Sequence, residues 1–191
     1  MVNKIIPIKL KLTVGSFYTL RAPYWRELNN EWEAFLGLKN SLYCFESLAA
    51  LISFVHTNNR HDLINHPAWN SLTKFASYKL YPPKEYNYDL IGLPALFTNF
   101  PTKKTVIGIY RALELVSSLG YVCKLTLINK FINGNPILRS INGSIENFSY
   151  HSGHKHWNEI ETVIDYNWYK VLDSINKIIL VPKFKNLAIF N

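Results

Sequence analysis

A chain of 191 residues, 48% of them hydrophobic and 15% aromatic, can bury about two thirds of its unfolded surface, which excludes wholesale disorder and any need for covalent staples. Its two cysteines are isolated, which excludes a disulfide framework or a multi-cysteine zinc site and fits a reducing compartment. The net charge of +8 admits a nucleic-acid partner, but the basic residues are scattered, and the AT-rich codons of Lys, Asn and Ile would produce the same balance.

The first residues lack the apolar run and cleavage site of a signal peptide, and no apolar stretch is long enough for a membrane span, so a cytoplasmic location and no membrane partner are expected. From residue 5 to 14, Ile6, Ile8, Leu10, Leu12 and Val14 alternate with Lys9, Lys11 and Thr13. That period predicts a strand with one wet face in an antiparallel sheet. Gly15-Ser16 turns the chain into 17–22. A two-residue loop would pair Val14 with Phe17 and set Arg21 on the apolar face. A three-residue loop pairs Val14 with Tyr18, Leu12 with Leu20 and Leu10 with Ala22, and the apolar register favours it.

The stretches "PYWRELNNEWEAFLG" and "SLYCFES" predict further strands, three to five in the first half. Tyr18, Tyr24, Trp25 and Trp32 with Arg21 and Arg26 could stack nucleic-acid bases. The competing reading is core aromatics with arginine across their faces; Glu27, Glu31 and Glu33 would repel phosphates. Cys44 sits between Tyr43 and Phe45 in an apolar pattern and is expected buried and unreactive, as is Cys123. Ser47 caps a helix with Leu48, Leu51, Ile52 and Val55 on one stripe, ended by a left-handed Asn58-Asn59.

Residues 60–70, "RHDLINHPAWN", concentrate titratable groups. His61, Asp62 and His66 are weak candidates for metal ligation or acid/base catalysis, needing a third ligand from His56, His151, His154 or His156. Turn chemistry is the competing reading: Asp62 or Asn65 accepts backbone N–H groups, Pro67 presets a first helical φ, and Trp69 packs.

The middle, 71–101, is broken by aromatics and prolines, with a short strand in "YDLIGLP". Thr102 or Thr105 starts a helix carrying Val106, Ile109, Tyr110, Leu113 and Val116, with Gly120 as its cap. Val122 to Ile132 predicts another helix ending at Asn133-Gly134. In "ILRSINGSIENF", Asn142-Gly143 predicts a hairpin with Arg139 opposite Glu146 and Ile137 opposite Phe148. From about His156 to Leu180, Trp157, Ile160, Ile164, Trp168, Val171, Ile175 and Ile179 predict one long helix stopped by Pro182, with an Asp173–Lys177 pair on its wet side.

The dinucleotide, P-loop, serine-hydrolase and zinc-protease motifs are all absent, so nucleotide and serine hydrolysis have no local support. The words "APYWRELNNEWEAFLG", "LYCFESLAALISFVHT", "HDLINHPAW", "YDLIGLPAL" and "HWNEIETVIDYNWYKVLDSI" together resemble an actinobacterial family of uncharacterised proteins, some labelled primosomal, over residues 5–182. Those relatives are acidic, so the resemblance implies a fold not built around basicity. It brings no catalytic residues.

The expectation is an α+β fold. An N-terminal antiparallel sheet packed by a helix precedes a mainly helical second half with a small β-hairpin and a long C-terminal helix, one domain over 1–182 with a basic tail at 183–191. The expected function is a non-enzymatic cytoplasmic interaction or regulatory protein with a protein partner and no cofactor; an exposed apolar stripe on 156–180 would be its partner surface. The alternatives are a nucleic-acid accessory protein of DNA replication using Arg21, Trp25, Arg26, Lys103 and Lys104, and a histidine-based metal protein or enzyme. Oligomeric state stays open.

Overall fold

Strands β1 (Ile6–Leu12) and β2 (Gly15–Glu27) form a hairpin whose register sets Leu12 against Gly15, Leu10 against Phe17 and Ile6 against Arg21. The turn is therefore Thr13-Val14, beginning two residues earlier than in either sequence register. Gly15 explains the placement. Its φ is +144°, and a Cβ there would lie 3.0 Å from Phe17 Cζ. Only glycine leaves a turn in that conformation without strain. The computed structural model describes residues 4–27, 30–74, 80–141, 148 and 151–182.

β3 (Asn30–Phe35) pairs antiparallel with β2 through a register shift between Ala22 and Trp25. β6 (Asn87–Asp89) adds in parallel to β1, giving the order β3-β2-β1-β6. A second, small sheet joins β4 (Gly37–Leu38), β5 (Ser41–Tyr43) and β7 (Ile179–Leu180).

Both faces of the main sheet are covered. Leu20, Ala22 and Leu36 pack with Phe45, with Leu51, Phe54 and Val55 of α1 (Leu48–Thr57), and with Trp69 and Leu72 of α2 (Trp69–Lys74). On the other face Ile6, Ile8, Leu10, Leu12, Phe17 and Tyr88 meet three helices: α3 (Lys103–Val122), α4 (Thr126–Gly134) and α5 (His151–Asn176). The wet face predicted for β1 exists only at its far end, since Pro7 is buried while Lys9 is half-buried and Lys11 exposed. The fold is α+β, as the sequence pattern indicates.

Ser47 caps α1 by accepting from the Ala50 N–H at 3.1 Å. Asn58 ends it in an extended conformation, φ −119°, not a left-handed one; its side chain accepts from Arg60 N–H at 2.8 Å instead. Thr102 caps α3 in a reciprocal box with Thr105. Gly120 is not the cap of α3. It lies inside the helix where α4 crosses, and a Cβ there would sit 2.7 Å from both Asn129 Oδ1 and Ile128 Cγ2; the left-handed residue is Lys124, φ 56°.

Two further expectations give way. Residues Pro136–Ser140 form a 3-10 turn, not a strand: Pro136 supplies a helical φ at its first position. The rest of the expected hairpin, 142–147, lies outside the described residues, as does the tail. The C-terminal helix ends at Asn176, short of Pro182, because Ile179–Leu180 pairs with β5, with Leu42 N–H donating to Ile178 O at 2.8 Å and Cys44 N–H to Leu180 O at 2.9 Å. Before that point α5 follows its sequence stripe: Trp157, Ile160, Ile164, Trp168, Val171 and Ile175 are all buried, and Asp173 pairs Lys177 at 2.6 Å.

Candidate functional site

β6 is an edge strand, and α3 runs beside it without closing against it. The gap is a groove of about 800 Å³. Its floor is apolar, formed by buried Tyr88, Leu93 and Ala112 with half-buried Ile107. Leu96, from the 3-10 turn Pro94–Phe97, rises at its side. The prolines that break 82–101 keep this segment from forming a longer strand or helix that would fill the space.

Gly108 sits on α3 at the groove wall. It is exposed, and a Cβ there would meet nothing nearer than Leu96 Cδ1 at 4.0 Å. A mid-helix glycine costs about 1 kcal/mol against alanine. Among the described residues no neighbour requires that cost, and the space beside Gly108 is open.

The rim carries Lys84, Lys104 and Arg111, all exposed. None forms an ion pair among the described residues. Of the two rim carboxylates, Asp89 is engaged by Lys11 Nζ at 2.8 Å and by Gly92 N–H at 2.9 Å. Burial opposes its charge, but those two bonds together hold its carboxyl below the ordinary range. Glu85 is left, so the rim is net positive.

Beyond Arg111 the groove meets a buried ionic cluster. Arg21 Nη2 donates to Glu33 Oε1 at 2.6 Å, to Glu114 Oε1 at 2.8 Å and to Ser118 Oγ at 2.9 Å; Nε reaches Glu33 Oε1 at 2.9 Å. Desolvation works against the charge, but the two carboxylates outweigh it and the pKa rises. The guanidinium is thus committed inside the fold and is not free for a phosphate or a base. Trp25 and Arg26 lie on β2 with Trp25 opposite Trp32, but their side chains are outside the described set; Trp32 is exposed. Lys103 and Lys104 are exposed on the first turn of α3. The sequence-nominated nucleic-acid set therefore loses Arg21.

The histidine stretch ties the chain down. Asp62 N–H donates to Gly37 O at 2.9 Å, and His66 Nδ1 accepts the Ala68 N–H at 3.1 Å. The side chains that bind local backbone are Asn58 and His66, not Asn65. Asp62 reaches the Lys39 backbone in the β4–β5 turn, while burial raises its pKa. His61 is a core aromatic, 4.1 Å from the Trp69 ring and 5.9 Å from Phe54. Among the described residues no three His, Cys, Asp or Glu converge on a metal position. Cys44 and Cys123 are buried, which pushes the Cys44 thiol up strongly and Cys123 to about 12.

Acid is expected to act through His61. Burial lowers its pKa to about 4, against a hydrogen bond with the Asn58 backbone that pulls the other way. The unfolded imidazole titrates at 6.5, so it takes its proton first. Stability is complete above that pH and falls by about 3 kcal/mol as pH drops to 4. Thermal melting across that window checks this, and His61→Phe should flatten the fall. A wild-type melting temperature indifferent to the same window would contradict it.

The apolar stripe of α5 is covered, so it is not a partner surface. The exposed side carries Tyr166 and Tyr169, with Lys170 Nζ 5.0 and 5.4 Å from their rings. Among the described helices none is long and apolar enough to cross a membrane.

The family model of the SatS C-terminal domain matches residues 5–176. No curated protein matches the chain. Among solved structures, the crystal structure of the SatS C-terminal domain in complex with bromine is similar at 17% identity, with a TM-score of 0.66, covering 93% of this chain and 94% of that one. At that identity the likeness establishes the fold.

Proposed function

The chain belongs to the SatS C-terminal domain family, and from that fold and its own surface we propose that it is a non-enzymatic interaction protein that holds part of another polypeptide in the groove between β6 and α3. The observation that carries this is the open, apolar-floored groove beside the bare Gly108. Pockets with an apolar lining and a few placed polar groups are binding sites by default. The two buried, unpaired cysteines suit action in the cytoplasm.

A photo-crosslinking residue at Lys104 tests the reading in cells. Discrete polypeptide adducts are expected there, absent from the same probe at Lys177 and lost when Gly108→Leu fills the groove. Equal adducts at both positions, or none at Lys104, would overturn it.

The finer resemblance, to actinobacterial proteins with a primosomal label, supports a second reading as a replication accessory protein. The observation in its favour is exposed Trp32 with exposed Lys103 and Lys104 on a +8 chain. Affinity for short DNA that survives near physiological salt would support it; binding lost at modest salt would leave the charge incidental.

A further inference from the structure

We propose that the groove takes an extended, acidic segment of a partner polypeptide as an added strand on β6, a reading that rests on the groove being a polypeptide site and names what it binds. Strand addition at an open sheet edge supplies main-chain hydrogen bonds, while alternate side chains enter pockets. Each of the three requirements for that mode is met here by a separate observation.

The first is the edge. Leu90 N–H donates to Lys11 O at 3.2 Å. Backbone groups alternate along a strand, so Tyr88 and Leu90 face β1 while Asn87 and Asp89 turn theirs away from it. The Asn87 N–H is held by Lys84 O. Asn87 C=O and Asp89 N–H remain on the outer side. They flank one residue, the spacing that receives the N–H and C=O of a single residue on an incoming strand. The edge is three residues long, short enough to limit unselective pairing.

The second is room. A strand approaching β6 must also pass α3, and Gly108 leaves the wall bare at that point. The third is charge. In an added strand one set of alternate side chains faces the floor of Tyr88, Leu93 and Ile107. The other set faces the rim, where Lys84, Lys104 and Arg111 are unpaired among the described residues and Asp89 is already neutralised by Lys11. The first turn of α3 also carries no acidic residue. An apolar/acidic alternation fits both sets. A basic segment would meet three like charges.

The full chain would be titrated with a fluorescent nine-residue peptide alternating valine and glutamate. Its comparators carry lysine for glutamate, or N-methyl groups on one alternate set of backbone amides or on the other. Exposed ion pairs contribute up to about fivefold each, so three rim cations predict a preference of about tenfold for glutamate over lysine. One methylated set should lose binding and the other keep it, because only one edge of the peptide faces β6. Gly108→Leu should lose binding at least about tenfold with its circular dichroism unchanged, and the Asp89 amide should shift in the NMR spectrum on binding.

Equal binding of both methylated peptides would overturn strand addition, and equal binding of the lysine peptide would overturn the acidic preference. If no peptide binds while Lys104 still crosslinks polypeptides in cells, this inference falls and the interaction reading stands. If neither occurs, both fall.

Discussion

Arg21→Ala should destabilise the protein by about 3 kcal/mol, the low end of what breaking a buried ion pair costs. The Arg21 side chain is 7% exposed and that of Glu33 21%, so removing the guanidinium strands a carboxylate with little water to receive it. Glu114 is 46% exposed, and its share is screened. Two further consequences separate this account from simple loss of volume. Arg21→Lys should not restore stability, because one ammonium cannot replace both Nε and Nη2 in their fixed geometry. Arg21→Met with Glu33→Leu should recover most of the loss, since no charge is left unpaired. Urea unfolding with an unchanged m-value reads all three. A loss below about 1 kcal/mol for Arg21→Ala would show that the carboxylates rehydrate and that the cluster is not stabilising.

The same residue shows where the sequence misleads. The apolar alternation of the sequence favours a hairpin register that keeps Arg21 off the apolar face. The fold puts it on that face, opposite Ile6, and neutralises it with Glu33 from β3 and Glu114 from α3. Those partners lie 12 and 93 residues away in the chain, so no local pattern could show the compensation. Elements that bury a continuous stripe were legible, α5 above all, because the helical period repeats over its whole length. Short elements fixed by tertiary pairing were not. β6 and β7 are three and two residues long and exist because β1 and β5 offer edges. Asn142-Gly143 gave a strong hairpin signal, but the element before it starts with Pro136 in a helical φ and turns as a 3-10 helix. The groove was hidden for the same reason. Its rim gathers Lys84 from the 3-10 turn Lys84–Tyr86 and Lys104 and Arg111 from α3, and an isolated glycine within a helical pattern carries no periodic signal. His61 is visible as a residue, but its burial between Phe54 and Trp69 is not.

Trp168→Ala should cost about 3–5 kcal/mol, the range for deleting a buried tryptophan. The ring is 2% exposed, packs edge-on against Phe131 and donates from Nε1 to Leu90 O at 2.7 Å. That bond reaches from α5 to the residue after β6, whose own N–H is held by Lys11 O. Leu90 is thus pinned from both sides, and with it the junction between the open edge and the turn that carries Leu96. Trp168→Phe separates the two contributions. It keeps a buried aromatic but leaves the Leu90 carbonyl unpaired, which should cost about 1–3 kcal/mol. It should also raise hydrogen exchange at the β6 amides more than at those of β2, because the bond holds one segment and not the whole sheet. If the groove binds by strand addition, the same variant should weaken peptide binding with Gly108 and every rim cation intact. If it matches wild type in stability and in β6 exchange, the bond to Leu90 holds nothing, and the edge is fixed by its pairing with β1 alone.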